Sequence, residues 1–204
     1  MAGYVKVITG GMFSGKSQEL ARLIERAVIA DLSVHVFYPR VAERQSVRDI
    51  RARLDGRRHV VRFHEMNEKQ FEPVSAYFDA SSSVIAVDEA QFFSPQIVEV
   101  VKHWRHSGKT VYVAGLDMDY QENPFGSMGA LMCLADEVVK LHAVCTDCKQ
   151  HPAMISYRLT EDSAQIVVGE SNYTALCLEC YDRAQIQLGG GIRYSTAGAP
   201  SVAD

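Results

Sequence analysis

Long apolar runs are missing from this sequence of 204 residues. Nowhere do the roughly 18 uninterrupted apolar residues of a membrane-spanning helix occur. The first residues, MAGYVKVITGG, also lack the basic segment and apolar core of a secretory signal peptide. We therefore expect a cytoplasmic protein without a membrane partner.

An excess of positive charge is absent too. The chain has 21 Lys and Arg residues against 25 Asp and Glu residues, a net charge of −4. This balance argues against nucleic acid as the main partner, although a local basic patch would be compatible with it. The sequence also lacks N-K-x-D, the guanine-reading motif expected of a GTPase, and has no evident internal repeat. A GTPase switch and a repeat architecture are therefore disfavoured.

Apolar runs do alternate with amphipathic stretches through the first 140 residues, which predicts an α/β fold with a parallel sheet. In the second helix Ser94 is the expected N-cap, Pro95 the first helical residue, and Gly108 follows the end. The polar, Arg-rich stretch 40–59 is expected to be a mobile, solvated connection. The predicted strands are 4–9, 33–38, 83–88, 110–116 and 137–144, and the predicted helices are 16–30 and 94–108.

The first predicted strand is followed by GGMFSGKS, residues 10 to 17, which matches G-x-x-x-x-G-K-[ST]. Because it lies between a strand and a helix, it predicts a phosphate-binding loop and a P-loop NTPase type of sheet with helices on both faces. A plain glycine turn at a helix start is the alternative. Backbone N–H groups would surround the β-phosphate, Lys16 would reach the β and γ oxygens, and Ser17 would ligate Mg²⁺. The expected ATP-binding residues are Gly10, Gly11, Met12, Phe13, Ser14, Gly15, Lys16 and Ser17.

Two adjacent carboxylates, Asp88 and Glu89, end the apolar run VIAV. A P-loop requires a carboxylate at the end of a buried strand for Mg²⁺, and Asp88 fits that need. An alcohol that attacks phosphate must lose a proton, so Glu89 fits a general base. The alternative for Glu89 is the water-activating acid of an ordinary ATPase.

Four of the five cysteines form two C-x-x-C pairs, Cys145 with Cys148 and Cys177 with Cys180. This spacing predicts a closed tetrahedral Zn²⁺ site with a structural role, and disulfides are the alternative. Cys133, within ALMCLA, is expected to be a small buried hydrophobe.

The composition changes near residue 144, where the cysteine pairs begin. Strand-like pieces at 153–159 and 164–169 and a short helix near 180–188 follow. We expect an ATP-binding domain over 1–143, a zinc-binding domain over 144–190 and a disordered tail, rich in Gly, Ser and Ala, over 191–204.

Five blocks in this order, GGMFSGKS, DEAQFF, GLDMDYQENPFGSM, KLHAVCTDC and NYTALCLECY, resemble the type II thymidine kinases, the cytosolic zinc-containing class. The resemblance spans roughly residues 4 to 182. It implies transfer of the γ-phosphate of ATP to the 5′-hydroxyl of thymidine, giving dTMP and ADP in pyrimidine salvage, with deoxyuridine as a possible further acceptor. It also implies a homotetramer and feedback inhibition by dTTP. A zinc-ribbon P-loop ATPase that acts on nucleic acid is the alternative function.

The resemblance further implies that Glu89 is the general base and that Asp88 and Gln91 lie beside magnesium and ATP. A loop called the lasso, carrying Val167, Val168 and Gly169, would wrap the pyrimidine. Aromatic residues in DYQENPFG suit a planar base, although core packing is an equal alternative. The chain departs from its relatives in having Ala42 instead of an acid two residues before Arg44, and in lacking Gly-Gly in the lasso. The expected substrate-binding residues are Met12, Arg44, Phe92, Leu116, Tyr120, Phe125, Ser156, Val167, Val168, Gly169 and Tyr173.

Overall fold

The computed structural model describes residues 3–40, 48, 50–51, 60–67, 82–160, 164–165, 167 and 169–187. Most of the stretch expected to be mobile, 40–59, and the whole expected tail, 191–204, lie outside these residues. The strands are β1 Tyr4–Thr9, β2 Val34–Pro39, β3 Val61–Met66, β4 Val84–Val87, β5 Thr110–Ala114, β6 Glu137–Lys140, β7 Ala143–Val144, β8 Pro152–Ala153, β9 Ile155–Arg158 and β10 Tyr173–Leu176. The helices are α1 Lys16–Ile29, α2 Ile97–His106, α3 Met128–Leu134 and α4 Leu178–Gln187.

Six strands form one parallel sheet in the order β3-β2-β4-β5-β1-β6. β1 lies between β5 and β6, and β4 lies on the other side of β5. Because all these strands run in the same direction, their carboxyl ends meet at one edge of the sheet. The segments that follow β1, β4 and β5 are therefore neighbours, although they are far apart in the sequence.

Helices cover both faces of the sheet, as predicted. On one face, Leu20 and Ile24 of α1 pack against apolar residues of the strands. On the other face, Trp104 of α2 and Leu131 of α3 belong to a second buried cluster, and the Trp104 ring stacks on Phe37 of β2 with 5.3 Å between ring centres. This arrangement confirms the α/β fold class.

A smaller unit follows the sheet. It consists of the antiparallel pair β7 and β8, the antiparallel pair β9 and β10, and α4. Its buried core is thin and includes three of the paired cysteines. The core residues are Ala143, Cys145, Ala153, Ala175, Leu176, Cys177 and Cys180. The division of the chain into domains at residue 143 stays a prediction.

Several predicted elements differ from the structure. Ser94 does not cap α2 with its side chain: the helix begins at Ile97, and the Ser94 hydroxyl bonds to the side chain of Gln96. Cys133 is exposed, because it lies on the outer side of α3, a helix that the sequence did not predict.

Two strand predictions were also wrong, and one strand of the structure was not predicted. The predicted strand 137–144 is interrupted, so that β6 stays in the large sheet and β7 pairs with β8. The described residues of 164–169 form no strand, and β10 lies further along the chain. β3 was not predicted because Arg62, His64 and Glu65 interrupt its apolar pattern. Within the described ranges, every helix is too short or too polar to span a bilayer.

Candidate active site

The loop between β1 and α1 has backbone geometry that requires glycine at two positions. Gly10 has φ of 131°, and a Cβ added there would lie 2.0 Å from the Leu141 carbonyl oxygen. Gly15, just before the first residue of α1, has φ of 87° in the left-handed region. These conformations suit glycine because it has no Cβ to clash. The loop thus leads directly into the N-terminus of α1, where anions bind favourably.

Lys16 is buried at the start of α1, with 8% of its surface exposed. Its ammonium donates a hydrogen bond to the Gly11 carbonyl oxygen over 2.7 Å. Burial lowers the pKa of Lys16, while the negative charges of Glu89, Asp88 and Asp117 act in the opposite direction. Lys16 is therefore held inside the loop, where the three carboxylates favour its charged form.

Other residues of the loop are held by their own hydrogen bonds. The Ser14 hydroxyl donates a hydrogen bond to the Gly11 carbonyl oxygen over 2.8 Å. Ser17 is half-buried in the first turn of α1, and Phe13 is half-exposed with φ of 63°. The backbone N–H of Met12 donates to Ser156 Oγ over 2.9 Å, which joins the loop to β9.

Asp88 follows β4 at the same edge of the sheet and has 1% of its surface exposed. Its Oδ1 accepts a hydrogen bond from the backbone N–H of Glu89 over 3.0 Å. Glu89 has φ of 51° and ψ of 45°, a left-handed conformation that turns the chain into a short 3₁₀ helix, Ala90–Phe92. In an extended strand neighbouring side chains point to opposite faces. The turn at Glu89 removes that constraint, so both carboxylates can serve one site.

Gln91 connects Glu89 to the end of β5. Its side-chain N–H donates to a carboxylate oxygen of Glu89, and its carbonyl oxygen accepts from the backbone N–H of Leu116 over 3.0 Å. Gln91 is buried, and a Cβ on Gly126 would lie 2.2 Å from its backbone oxygen. Packing and hydrogen bonds therefore fix Gln91, and through it the Glu89 carboxylate.

Asp117, which sequence reasoning missed, is a third acid at this edge. It follows β5 by a short turn, is 6% exposed, and pairs with Lys140 through an Nζ to Oδ2 contact of 2.7 Å. Its Oδ1 is buried without a hydrogen-bond partner among the described residues. The available signal was its position after an apolar strand, the same signal that identified Asp88.

The loop after β5 brings aromatic residues to the site. Phe125 is buried and packs edge-on against Phe92, with 5.6 Å between ring centres and an angle of 82°. The Asp119 carboxylate accepts hydrogen bonds from the backbone N–H groups of Gln121 and Asn123, which closes the loop into a compact turn. The predicted pocket residues Phe92 and Phe125 are thus in contact.

Tyr120 and Tyr173 both lie next to Arg158, another residue that the sequence alone did not indicate. The Arg158 guanidinium carbon is 3.5 Å from the centre of the Tyr120 ring and 5.3 Å from the centre of the Tyr173 ring. An Arg158 N–H also donates to the Tyr173 hydroxyl over 2.7 Å. No local motif marks this arginine, because its partners come from distant parts of the chain.

The structure places only part of the predicted lasso. Val167 is half-buried, and Gly169 has φ of 124° and accepts a hydrogen bond from the backbone N–H of Asn172 over 3.2 Å. Val168, Ala42 and Arg44 lie outside the described residues. Their roles, and those of the other site residues predicted from the sequence, stay predictions.

The four paired cysteines converge. Their sulfur atoms all lie within 4.8 Å of one another, and the sulfurs of Cys148 and Cys177 are 3.8 Å apart. A tetrahedral zinc site with Zn–S bonds of about 2.3 Å requires sulfurs roughly 3.8 Å apart. All five cysteines are described and are free thiols, so the disulfide alternative is not observed. The cluster fits a structural zinc ion.

The ionisation of these thiols differs within the cluster. Burial raises the pKa of Cys145, but hydrogen bonds from the backbone N–H groups of Cys177, Cys148 and Asp147 outweigh it and lower that pKa to about 6. Burial, a hydrogen bond with the Asp147 side chain and the nearby thiols raise the pKa of Cys180. Because zinc binds thiolates, a bound zinc ion would favour deprotonation throughout the set.

The family model for thymidine kinase matches residues 3–181. A thymidine kinase from Bacteroides fragilis is 38% identical over 188 residues, which cover 89% of this chain and 88% of that protein. Thymidine kinases from Porphyromonas gingivalis and from Rhodothermus sp. (strain ITI 518) are each 37% identical over 185 residues, covering 88% of this chain and 85% and 81% of theirs. Nothing in these matches favours the alternative ATPase that acts on nucleic acid. The chain belongs to the thymidine kinase family.

Proposed function

We propose that the protein transfers the γ-phosphate of ATP to the 5′-hydroxyl of thymidine, giving dTMP and ADP, with deoxyuridine as a further acceptor. The observation that carries this proposal is the geometry around Glu89. A carboxylate held by Gln91 lies beside the buried Asp88 and the phosphate-binding loop. Thymidine as the substrate comes from the names of the relatives.

ATP would bind along the loop 10–17. Backbone N–H groups of the loop and of the first turn of α1 would surround the β-phosphate, and the Lys16 ammonium would leave the Gly11 carbonyl to contact the β and γ oxygens. The arriving negative charge would raise the pKa of Lys16 and offset the effect of burial. The Lys16 ammonium would therefore have a hydrogen-bond acceptor both before and after ATP binds.

Magnesium suits the oxygen donors at the edge of the sheet. The Ser17 hydroxyl and the Asp88 carboxylate, directly or through water, would hold it, as a P-loop protein requires. When bound, Mg²⁺ neutralises charge that develops on the phosphate oxygens. Asp88 is well suited to this role because it is buried, and because the Glu89 N–H fixes its Oδ1.

Glu89 would accept the proton of the 5′-hydroxyl. As the 5′-oxygen forms its bond to the γ-phosphorus, the bond from that phosphorus to the bridging oxygen breaks and ADP leaves. General-base help of this kind is worth about 10² to 10⁴ in rate. The hydrogen bond from Gln91 would aim one carboxylate oxygen and leave the other for the substrate.

The zinc-binding unit would support the nucleoside pocket without taking part in the chemistry. A site with four cysteine ligands has no open position for a substrate. Cys177 and Cys180 follow β10, the strand that begins with Tyr173. A cytoplasmic location, a homotetramer and feedback inhibition by dTTP complete the proposal and rest on the family resemblance alone.

The test is an acceptor assay with purified protein, Mg²⁺ and ATP labelled at the γ-phosphate. Thymidine, deoxyuridine, deoxycytidine and single-stranded DNA are supplied separately, and labelled products are separated from free phosphate. We expect labelled dTMP to be the main product. Hydrolysis of ATP stimulated by DNA, with no nucleoside phosphate formed, would contradict the proposal.

A further inference from the structure

Arg158 lies at the end of β9, directly opposite Tyr173 in the register of β9 with β10. Only 7% of its surface is exposed. Its guanidinium lies over the Tyr120 ring at 3.5 Å and donates a hydrogen bond to the Tyr173 hydroxyl over 2.7 Å. One buried cation therefore contacts two of the aromatic residues predicted to bind the pyrimidine.

The same guanidinium also holds backbone from the segment before the lasso. Its N–H groups donate to the carbonyl oxygens of Ala164 and Gln165, the latter over 3.0 Å. The side-chain N–H of Gln165 donates in turn to Asp119 Oδ2 over 3.0 Å. Asp119 is next to Tyr120, so the loop after β5 and the segment at 164–165 are joined twice, once through Arg158 and once through Gln165.

Arginine suits this position for a physical reason. A buried cation must be compensated by hydrogen-bond acceptors or by the negative face of an aromatic ring. The guanidinium is planar and has five N–H donors, so it can stack on one ring and bind several acceptors in its plane at once. A lysine ammonium keeps the charge but does not offer this flat, forked geometry.

β9 also contacts the phosphate-binding loop, but through a residue two positions before Arg158. Ser156, two residues before Arg158 and on the same face of β9, accepts the hydrogen bond from Met12 in the phosphate-binding loop. Arg158 itself contacts residues on the predicted nucleoside side. Its removal should therefore affect nucleoside binding more than ATP binding.

We propose that Arg158 is a positioning residue for the nucleoside: it fixes the Tyr120 ring, the Tyr173 hydroxyl and the backbone at 164–165 in one arrangement before the pyrimidine binds. This inference rests on the proposed function, because the two tyrosines matter in this way only if a nucleoside binds between these loops. Arg158 acts through them and takes no part in phosphate transfer.

The experiment compares steady-state kinetics of the full-length parent with Arg158→Lys and Arg158→Met, varying thymidine and ATP separately. We expect KM for thymidine to rise about tenfold or more in both variants, with KM for ATP within about twofold of the parent and the zinc content unchanged. Arg22→Met is the matched control, because Arg22 is an exposed arginine on α1 that pairs with Glu19 of the same helix. An unchanged KM for thymidine in folded Arg158→Lys and Arg158→Met, or equal increases in both KM values, would overturn the inference.

A second variant removes the acceptor and keeps the arginine. Tyr173→Phe deletes only the hydroxyl that Arg158 binds, and it should raise KM for thymidine several-fold. When it is combined with Arg158→Lys, the total increase should be smaller than the product of the two separate increases, because both changes break the same hydrogen bond. An increase in KM equal to the product of the two separate increases would show that the two residues act independently, and it would overturn the inference. If neither Arg158 variant folds, an unchanged KM for thymidine in Tyr173→Phe would by itself overturn the inference.

Measurements on the parent protein and on the variants test the proposed function and the role of Arg158 separately. Thymidine phosphorylation by the parent tests the function, and the ratio of variant to parent KM tests Arg158. A parent that phosphorylates thymidine while the variants match it would leave the function intact and overturn the inference alone. A parent inactive on thymidine would overturn both.

Discussion

Glu89 adopts a left-handed backbone conformation, with φ of 51° and ψ of 45°. For a residue with a Cβ this conformation costs about 1 kcal/mol or more, so surrounding structure must maintain it. The N–H bond to Asp88 and the side-chain bond from Gln91 supply that support. The cost is consistent with a residue whose direction matters for chemistry.

Replacement of this carboxylate tests its role as the base. In Glu89→Gln the side chain keeps its size but accepts protons poorly, so kcat should fall about 100-fold or more while ATP affinity stays nearly unchanged. Steady-state kinetics and a nucleotide-binding titration measure the two quantities. Glu99→Gln is the matched control, since Glu99 is exposed on α2, where it pairs with Lys102 of the same helix. Near-normal turnover of Glu89→Gln would remove Glu89 from the base role.

Single residues also show what the sequence can indicate about a site, although the predicted roles themselves stay predictions. Lys16, Asp88 and Glu89 could be proposed as site residues because a short motif or an apolar strand lies directly next to each of them. Arg158 could not, because its partners at 120, 164–165 and 173 meet only after β9 pairs with β10. Cys133 was predicted to be buried because its neighbours in the sequence are apolar. In a helix, however, one residue of an apolar run can still lie on the exposed side, as Cys133 does.

Glycine has a different role in the loop between β1 and α1 than in the helix α3. Gly10 has positive φ, and its Cα faces the Leu141 carbonyl at a distance that leaves no room for a side chain. Gly129 lies inside α3, where nothing within 4 Å would meet an added Cβ. The first glycine is required by the fold, and the second only weakens a helix.

Alanine substitutions at these two glycines should therefore change the free energy of unfolding in opposite directions. Gly10→Ala should lower the free energy of unfolding by at least about 2 kcal/mol, because it combines a strained φ with a backbone clash. Gly129→Ala should raise that free energy by up to about 1 kcal/mol, through helix propensity. Urea denaturation at equilibrium measures both changes. Equal effects of the two substitutions would show that the backbone at Gly10 relaxes freely.

Strands and helices were predictable to the extent that their own residues specify them. β1, β4 and α1 have the expected apolar pattern and lie within one residue of the predicted bounds. β3 is at the edge of the sheet, where polar residues are tolerated, so its sequence does not distinguish it from a loop. α2 begins later than predicted because the Ser94 hydroxyl bonds to a side chain instead of to the helix backbone.

The smaller unit, formed by β7 to β10 and α4, has too thin a core for us to expect it to be stable alone. Its buried set consists mainly of alanine and cysteine side chains. Structural zinc contributes an apparent binding energy of about 10 to 16 kcal/mol in small domains, which is folding energy when the unbound site is unformed. We therefore expect the fold of residues 144–187 to depend on the metal.

Removal of one cysteine ligand should show how far the activity of the protein depends on zinc. Cys177→Ser should lose the one zinc ion expected per chain and reduce thymidine phosphorylation at least about tenfold, because β10 and Tyr173 lose their anchor. Elemental analysis and the acceptor assay provide the measurements. Cys133→Ser, which changes the exposed cysteine outside the cluster, should keep both zinc and activity. A zinc-free preparation with the activity of the parent would contradict a structural role for the metal.

The sheet order has a consequence for how the protein is made. β1 is synthesised well before its neighbour β6, which lies 131 residues further along the chain, as the contact between Lys6 and Glu137 shows. At about 5 to 20 residues per second, a ribosome needs roughly 7 to 26 seconds to add that length. During this interval the apolar strand YVKVIT has no neighbour on that side, so nascent chains are most exposed to aggregation and to chaperone binding before β6 emerges.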